Sequence, residues 1–512
     1  MGLPGSETGS AILPPPTPER PMSSVQFVDF AGKTKLNGES IEALEAELQR
    51  VFEKVVDARA GADSSFEQRE AAALALANDV TKQHLENDLK RIEAGFDETI
   101  LIDGVPYKRS HEPTPGRYPS LCGALEVPRS LYREVGKRNG PTVVPLELAA
   151  GLVEGVTPAL AYSIALDYTK QTSREYVESM AASHRRPPSR STVERIARQL
   201  GTKARAWAPS IERYLRPGEG VEEGAVAISV GLDRTSVPYE EVRPEGAPPA
   251  TRRKERKKPY VRTPPPPVDT KYRMDYVGTV SLVDADGDKL VTRKYTATHE
   301  EGCAGILKRM MADIRGWKGK SRDLVVGIVQ DGAPELWNAL RGALRAEPSV
   351  GTWLEAIDRF HLSERLGQVL KLTEPTPEAA KSQLERWEAE LDEDDGTIDR
   401  IKAHLDNRLW WWRPNTEVPE ELTGALTYIK NNNDRMRYVE LRKCGLPVGS
   451  GITEGACKSL PGTRVKRSGQ RWHTEGVSAV LTLRAIHQSE RLPRFWKHVN
   501  RRYTAKIERL AA

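Results

Sequence analysis

The stretch Val226-Ala-Ile-Ser-Val-Gly-Leu232, closed by Asp233, has the length and content of a buried β-strand. A second run of the same kind, Leu324-Val-Val-Gly-Ile-Val-Gln330, is closed by Asp331. Both aspartates are thus placed at strand ends. In an open α/β sheet, sites form in the crevice at the carboxyl ends of the strands, so the two can share one cleft. Glu454 is the third candidate. It stands in Leu446-Pro-Val-Gly-Ser-Gly-Ile-Thr-Glu454-Gly-Ala-Cys-Lys458, on a helix that starts after the flexible Gly449-Ser450-Gly451. Three carboxylates in one pocket repel one another unless divalent cations offset them. Mg²⁺ and Mn²⁺ prefer oxygen ligands, and a pair of ions roughly 3.5–4 Å apart activates an attacking oxygen and stabilises a leaving one. The expected chemistry is metal-assisted phosphoryl transfer.

Taken singly, each carboxylate has a plainer reading. Asp331-Gly332 reads as a turn, or as a helix cap ahead of Pro334. Asp233 alone reads as a strand terminator, and Glu454 as a first-turn glutamate favoured by the helix dipole. The joint pattern carries more weight than its parts.

Four segments in order resemble bacterial DDE transposases of the ISKra insertion-sequence group. They are Gly231-Leu-Asp233-Arg-Thr-Ser-Val-Pro-Tyr-Glu-Glu241, Gln330-Asp331-Gly-Ala-Pro-Glu-Leu-Trp-Asn338, Asp358-Arg-Phe-His361-Leu, and the run from Glu454 to Trp472. The resemblance spans roughly Pro145 to Trp496. It implies an α/β RNase H-like catalytic domain with an all-helical insertion before the glutamate. It also implies that Asp233, Asp331 and Glu454 are the catalytic and metal-binding triad, holding two Mg²⁺ or Mn²⁺ ions.

A chain of 512 residues is too long for one simple core. Its composition, 38% hydrophobic and 29% charged, offers no uninterrupted apolar stretch near the roughly 20 residues that span a bilayer. The start Met1-Gly-Leu-Pro-Gly-Ser lacks the basic and apolar parts of an export signal, so a cytoplasmic protein with no membrane partner is expected, and the resemblance implies a bacterial, nucleoid-associated one. Cys122, Cys303, Cys444 and Cys457 form no Cys-x-x-Cys pair, which argues against a zinc finger or a disulfide framework. The net charge of +5 understates the basic faces, because the acidic segment Glu385 to Asp395 offsets a basic C-terminal part.

Along the chain, residues 1–24 read as a disordered leader and 25–98 as an N-terminal helical hairpin serving packing or oligomerisation. Residues 99–140 read as a small β subdomain, with an Asp-Gly turn at Asp103-Gly104. Residues 141–215 read as a helix-turn-helix-like DNA-binding domain. Its last helix, Ser191 to Leu200, has a Ser cap with Glu194 three residues later and presents Arg190, Arg195 and Arg198 opposite an apolar face. A solvated charged face looks the same in sequence. Mainly helical DNA-binding domains with a small β subdomain thus precede the catalytic part.

The first catalytic part is 221–374, where three antiparallel strands, a helix and a further strand follow the RNase H-like order. It contains a basic, proline-rich loop at 243–270. Trp353 to Ile357 is expected as the fifth strand; Asp358 beyond it is a group that holds the ligand residues in place or an alternative ligand, and His361 a carboxylate partner or a structural histidine. The helical insertion occupies 375–445, where core packing is expected for at least two of Trp410, Trp411 and Trp412. The last catalytic part, with basic C-terminal helices, is 446–512. Its Glu454 helix is expected to break at Pro461-Gly462. Lys458 is expected to contact a phosphate beside the metals, and Arg464, Lys466, Arg467 and Arg471 DNA farther along, with Arg484, Arg491, Arg494, Lys497, Arg501 and Arg502 extending the basic surface.

The function expected is a transposase that binds the inverted repeats at transposon ends as double-stranded DNA, hydrolyses a phosphodiester, and joins the freed 3′-hydroxyl to target DNA. Two ends processed together call for a homo-oligomer, a dimer or larger. The rivals are an RNase H-like nuclease or resolvase that cuts without joining, and a catalytically inactive helix-turn-helix regulator.

Overall fold

The computed structural model describes residues 35–36, 39–61, 63–242, 268–331, 333–412 and 418–509. The leader expected at 1–24 and nearly all of the basic loop expected at 243–270 lie outside them; Val268, Asp269 and Thr270 belong to a strand. The chain divides into two compact units, Met1–Ala77 and Asn78–Ala512. Among the described residues no helix is long and apolar enough to cross a membrane.

The first unit holds the paired strands β1 (Lys35–Leu36) and β2 (Glu39–Ser40), helix α1 (Ile41–Ala60), and the beginning of α2 (Phe66–Ala94). Leu44, Leu48 and Val51, at helical spacing on α1, are exposed.

The second unit opens with a small antiparallel sheet of β3 (Thr99–Ile102), β4 (Val105–Ser120) and β5 (Gly123–Glu134). The Asp103-Gly104 turn has positive φ at both residues, 47° and 82°, as an Asp-Gly hairpin turn requires. Edge strand β5 is sealed by α2, whose Glu86 and Glu93 accept the Glu126 and Ser130 N–H groups at 2.9 and 2.7 Å. The other edge is covered by β11 (Ile507–Arg509), which pairs with β3. Nothing in the local sequence marks residues 507–509 for this sheet.

Short helices α3 (Pro145–Ala149) and α4 (Pro158–Ser163) follow, then a wide turn at Ile164–Tyr168, α5 (Ser173–Ala182) and α6 (Arg190–Leu215). The cap of α6 is Ser189, whose Oγ accepts the Thr192 N–H, and not Ser191. Glu194 accepts from the Ser173 hydroxyl at 2.5 Å and so takes no part in a capping box. The helix also continues to Leu215, well past Leu200. Its apolar residues Val193, Ile196, Leu200, Ala204 and Ile211 share a core with Val480, Leu483 and Phe495 from the C-terminal helices, so residues 141–215 pack with the last part of the chain. Gly201 permits the crossing, since a Cβ there would meet the Ala479 backbone at 2.5 Å.

The central sheet comprises β6 (Ala227–Val242), β7 (Val268–Val283), β8 (Lys289–Ala297), β9 (Val325–Gln330) and β10 (Leu354–Ile357), in the order β10-β9-β6-β7-β8. Strands β6, β7 and β8 are antiparallel neighbours, whereas β9 and β10 run parallel to β6. One face of β6 and β7 presents Ile228, Val230, Leu232, Val280 and Leu282 to the core. The opposite face presents small residues, Ser229, Gly231, Thr279 and Ser281, which let a helix come close. Helices α7 (Ala304–Lys318) and α8 (Pro334–Arg345) flank β9, and α9 (Arg359–Thr373) follows β10.

The stretch 375–445, expected as a helical insertion, is helical and follows α9 with α10 (Pro377–Glu393), α11 (Thr397–Trp412), α12 (Glu420–Asn432) and α13 (Tyr438–Lys443). Its Trp387, Leu405, Ile429 and Tyr438 join the core of the sheet. Trp410 is 64% exposed; the side chains of Trp411 and Trp412, on which the expectation of core packing for at least two of the three depends, lie outside the described set. Last come α14 (Gly451–Cys457), α15 (Thr474–Gln488) and α16 (Leu492–Arg501).

A buried charge network ties the helical region to the sheet. Arg491 donates to Glu219 at 2.8 and 2.6 Å and to Asp313 at 2.8 Å; Arg216 reaches Asp313 at 2.6 Å, and Arg309 reaches Glu212 at 3.0 Å. Arg491 was expected on the basic surface but is 3% exposed. Burial alone would raise the pKa values of Glu219 and Asp313, yet the arginines outweigh it and hold both below the ordinary carboxylate range.

Candidate active site and basic cleft

Asp233 lies inside β6 and does not end it. The β-forming residues beyond it, Val237 and Tyr239 among them, continue the ladder with β7, pairing Asp233 with Val277. What ends nearby is the neighbouring strand: β9 stops at Gln330 and Asp331 follows. The sheet narrows there and a crevice opens on one side of β6.

Helix α14 closes that crevice. A Cβ on Gly231 would lie 2.0 Å from the Thr453 hydroxyl oxygen, so the bare glycine sets how near α14 comes to the sheet. Thr453 and Thr279 share a hydrogen bond of 2.7 Å across this contact. One turn on, the Cys457 thiol donates to Asp233 Oδ2 at 3.2 Å. With Thr453 and Cys457 turned to the sheet, Glu454 points along its edge. A cavity of about 200 Å³ results, lined by Asp233, Asp331 and Glu454 together with Leu232, Gln330, His361, Ser450 and Thr453. All three carboxylates singled out in the sequence meet there.

Asp358 anchors the entry to α14. Its carboxylate caps α9 by accepting the Phe360 and His361 N–H groups at 2.7 and 3.0 Å, and it also accepts the Ser450 N–H and the Ser450 hydroxyl, the latter at 2.5 Å. Ser450 is thus fixed, although the sequence reads Gly449-Ser450-Gly451 as flexible. The Ser450 hydroxyl is also 3.1 Å from Glu454 Oε1. His361 stands between the two acids, Nδ1 3.5 Å from Asp358 and Nε2 3.9 Å from Glu454.

Burial is the main cause that raises the Asp233 pKa, and the charges of Asp331 and Glu454 add to it against bonds from the Arg234 N–H and Cys457. Asp358 goes the other way. Burial would raise it, but the two Ser450 bonds and the His361 N–H bring it below the ordinary value. The Cys457 thiol is pushed up by burial and by Asp233, so it stays protonated and able to donate.

Carboxylate oxygens are the donor set that hard divalent ions take. Among the described residues, Asp358, His361 and Glu454 form a group that could hold a metal ion, their ligand atoms lying within 4.8 Å of one another. Asp358, however, already accepts four hydrogen bonds, which leaves it suited to positioning Ser450 and Glu454. Asp233, Asp331 and Glu454 share the open cavity. Neither Ser450 nor Cys457 was singled out from sequence. A signal for Cys457 was available: with Thr453 it occupies positions i and i+4 of the glutamate helix.

The expected DNA contacts divide into exposed and buried. Lys458 is exposed and 3.5 Å from Glu454 Oε2, at the rim of the cavity. Arg464 is 1% exposed; it donates to the Tyr168 carbonyl at 3.2 Å and lies over the Tyr168 and Trp472 rings, so it is a structural cation in this fold. Arg484 is likewise buried, and burial, then repulsion from Arg464, lowers its pKa to about 10. Lys466 is exposed and donates to Thr235, while Arg467 pairs with Glu175 at 2.7 and 2.9 Å. Arg195 is bonded to Gln199.

The helix ends at Gly462, as expected, after a change in its winding. A proline ring collides with the carbonyl four residues earlier in an α-helix. The chain relieves this by widening into a π-helical turn over Lys458–Gly462, with the Thr463 N–H bonded to Lys458 O at 3.0 Å. The Ser459 carbonyl in that turn is taken by Arg484 and Gln488.

Arg190 and Arg198 of α6 meet Arg471 and Trp472 in a cleft of about 840 Å³. Its charge is mixed, since Glu194, Glu240 and Glu475 line it too. The Trp472 carbonyl accepts the Glu240 N–H at 2.8 Å, which docks this segment along β6.

No protein-family model and no curated protein matches the sequence. Among solved structures the chain aligns with one described as "Mos1 transposase paired-end complex with left transposon end", at 12% identity and a TM-score of 0.15, over 55% of this chain and 77% of that one. A likeness that slight carries no argument about function.

Proposed function

We propose that this chain is a metal-dependent DNA transposase with an RNase H-like catalytic domain and a helical insertion. The observation that carries the reading is the cavity in which Asp233, Asp331 and Glu454 converge from a central strand, from the end of its parallel neighbour and from a helix after the insertion. Three antiparallel strands followed by two parallel ones, in the order β10-β9-β6-β7-β8, support the RNase H-like assignment.

Asp233, Asp331 and Glu454 would hold two Mg²⁺ or Mn²⁺ ions, which supply positive charge to the phosphate and activate the attacking oxygen. The chain's own groups do the positioning. Asp358 holds Ser450 and the start of α14, Gly231 admits Thr453, and Cys457 orients Asp233. Lys458 is placed to meet a phosphate at the rim. Exposed Lys466, Arg467 and Arg471, with Arg190, Arg195 and Arg198 on α6, would bind the duplex outside the cavity. Transposon ends and target are both double-stranded DNA, and joint processing of two ends calls for a dimer or larger assembly, in the bacterial cytoplasm at the nucleoid.

The test incubates the protein with labelled element ends, a target plasmid and Mg²⁺ or Mn²⁺. Joined products that depend on all three carboxylates are the expected result. Cutting without joining would reassign the protein as a nuclease or resolvase, and binding without cutting as a regulator.

A further inference from the structure

Beside the carboxylate cavity a second pocket, about 400 Å³ in volume, opens between α8, α9 and α12. Two links fix its position. Pro334 in its wall begins α8 just after Asp331, and Arg365 lies one helical turn beyond His361 on α9. Its lining holds Arg341, Arg365 and Arg435 and no carboxylate. Arg341 and Arg435 are both engaged by Glu355, but Arg365 is exposed, lies over the Tyr428 ring at 4.4 Å, and among the described residues has no acidic partner.

Other polar groups in the wall are also unspent. The Tyr428 hydroxyl oxygen is buried with no hydrogen-bond partner. Burial is the chief cause that raises its pKa, to about 12; Arg365 opposes the rise, and the charges of Asp331 and Asp358 add to it, which places the hydroxyl within electrostatic range of the carboxylate cavity. Asn338 and Asn431 line the pocket, and among the described residues their amides make no hydrogen bond. An amide both donates and accepts, so it can meet the edge of any base.

A free guanidinium, two unspent amides and a lone hydroxyl suit a ligand with one anionic end and one polar, hydrogen-bonding end. The volume suits a ligand of nucleotide size and is too small for a base pair. We propose that this pocket receives one unpaired nucleotide of the DNA strand entering the carboxylate cavity, its phosphate against Arg365 and its base toward Asn338 and Asn431. The assignment rests on the reading of that cavity as a DNA-processing centre.

The experiment measures fluorescence anisotropy of a fluorescein-labelled short duplex, blunt or carrying a single-stranded thymidine tail, with full-length protein and Ca²⁺ in place of Mg²⁺. The tailed duplex should bind about tenfold more tightly. Arg365→Gln and Tyr428→Phe, both at sites that tolerate the change without leaving a buried charge, should each reduce that preference several-fold, and Asn338→Ala with Asn431→Ala should remove it. Affinity for the blunt duplex should stay the same. Equal binding of the two duplexes by the unaltered protein, or a preference that survives all these substitutions, would overturn the proposal. Cleavage in Mg²⁺, followed in parallel with Asp331→Asn as control, tests the carboxylate cavity separately, so either reading can fail alone.

Discussion

One group of carboxylates in this protein is buried and another is half-buried around an open cavity, and the two are treated in opposite ways. Glu212, Glu219 and Asp313 face Arg216, Arg309 and Arg491, and the pKa values of Glu219 and Asp313 are pulled down. Asp233, Asp331 and Glu454 share a cavity whose ion-paired cation is Lys458 at the rim, and Asp233 is pulled up. Charge balanced from within holds elements together. In the function proposed, charge left unbalanced is where a cation from solution would bind.

The largest expected effects test that division directly. Asp233→Asn, Asp331→Asn or Glu454→Gln should each lower metal-dependent strand transfer by at least about 10²–10³-fold, the range seen when one group stabilising transition-state charge is removed. Thermal melting of the metal-free variants should not fall. Full activity in all three would break the comparison. The reverse pattern is expected for Arg491→Met, which leaves Arg216 at Asp313 and Arg293 at Glu219 but removes the cation shared by both acids, and should cost about 3–5 kcal/mol in urea unfolding. Unchanged stability would show that the network is dispensable.

Gly231→Ala should have an intermediate effect. The new methyl group would collide with Thr453 and displace α14, at about 1–3 kcal/mol, the usual cost of overpacking. Activity should fall further than stability because Glu454 moves with the helix. Adding Thr453→Ala should restore part of both, and no rescue would mean that the contact does not set the position of α14.

The smallest effect is one of pH. Asp233 has its folded pKa raised, so its contribution to stability is present below an unfolded value of about 3.9 and is lost as pH rises through the folded value. Asp313 and Glu219 have theirs lowered; their contribution is present above the unfolded value and is lost as pH falls through the folded one. In chelator-treated protein, Asp233→Asn should therefore become progressively more stabilising as pH rises above about 4, and Mg²⁺ should cancel the gain. Parallel pH curves for wild type and variant would contradict the charge frustration assigned to Asp233.

Much of the site was legible because its carboxylates follow or interrupt apolar runs that can only be strands, and because Glu454 follows residues too small for anything but close packing. Illegible features depended on distant partners. Arg464 looks like every other cation in its segment, and only Tyr168 and Trp472 folding around it bury it. Asp233 reads as a strand end because the apolar run stops there, whereas the ladder continues on the far side through Val237 and Tyr239. Pro461 reads as a stop and is one, but the widened turn that leads to it, whose Ser459 carbonyl accepts from Arg484 of another helix, has no local signal. The role of Asp358 lay between the two cases: the sequence raised it as a partner, and the contact with Ser450, far along the chain, defines what it holds.

The pairing of β11 with β3 bears on the order of synthesis. The Lys506 N–H that meets Asp103 at the end of this pair is 403 residues away from it in the chain. A ribosome releases β3 long before β11 exists, so every nascent or truncated form lacking residues 507–509 carries an open strand edge at Ile100 and Ile102. Such forms are the ones open to edge-to-edge association, and translation of those three residues removes the hazard.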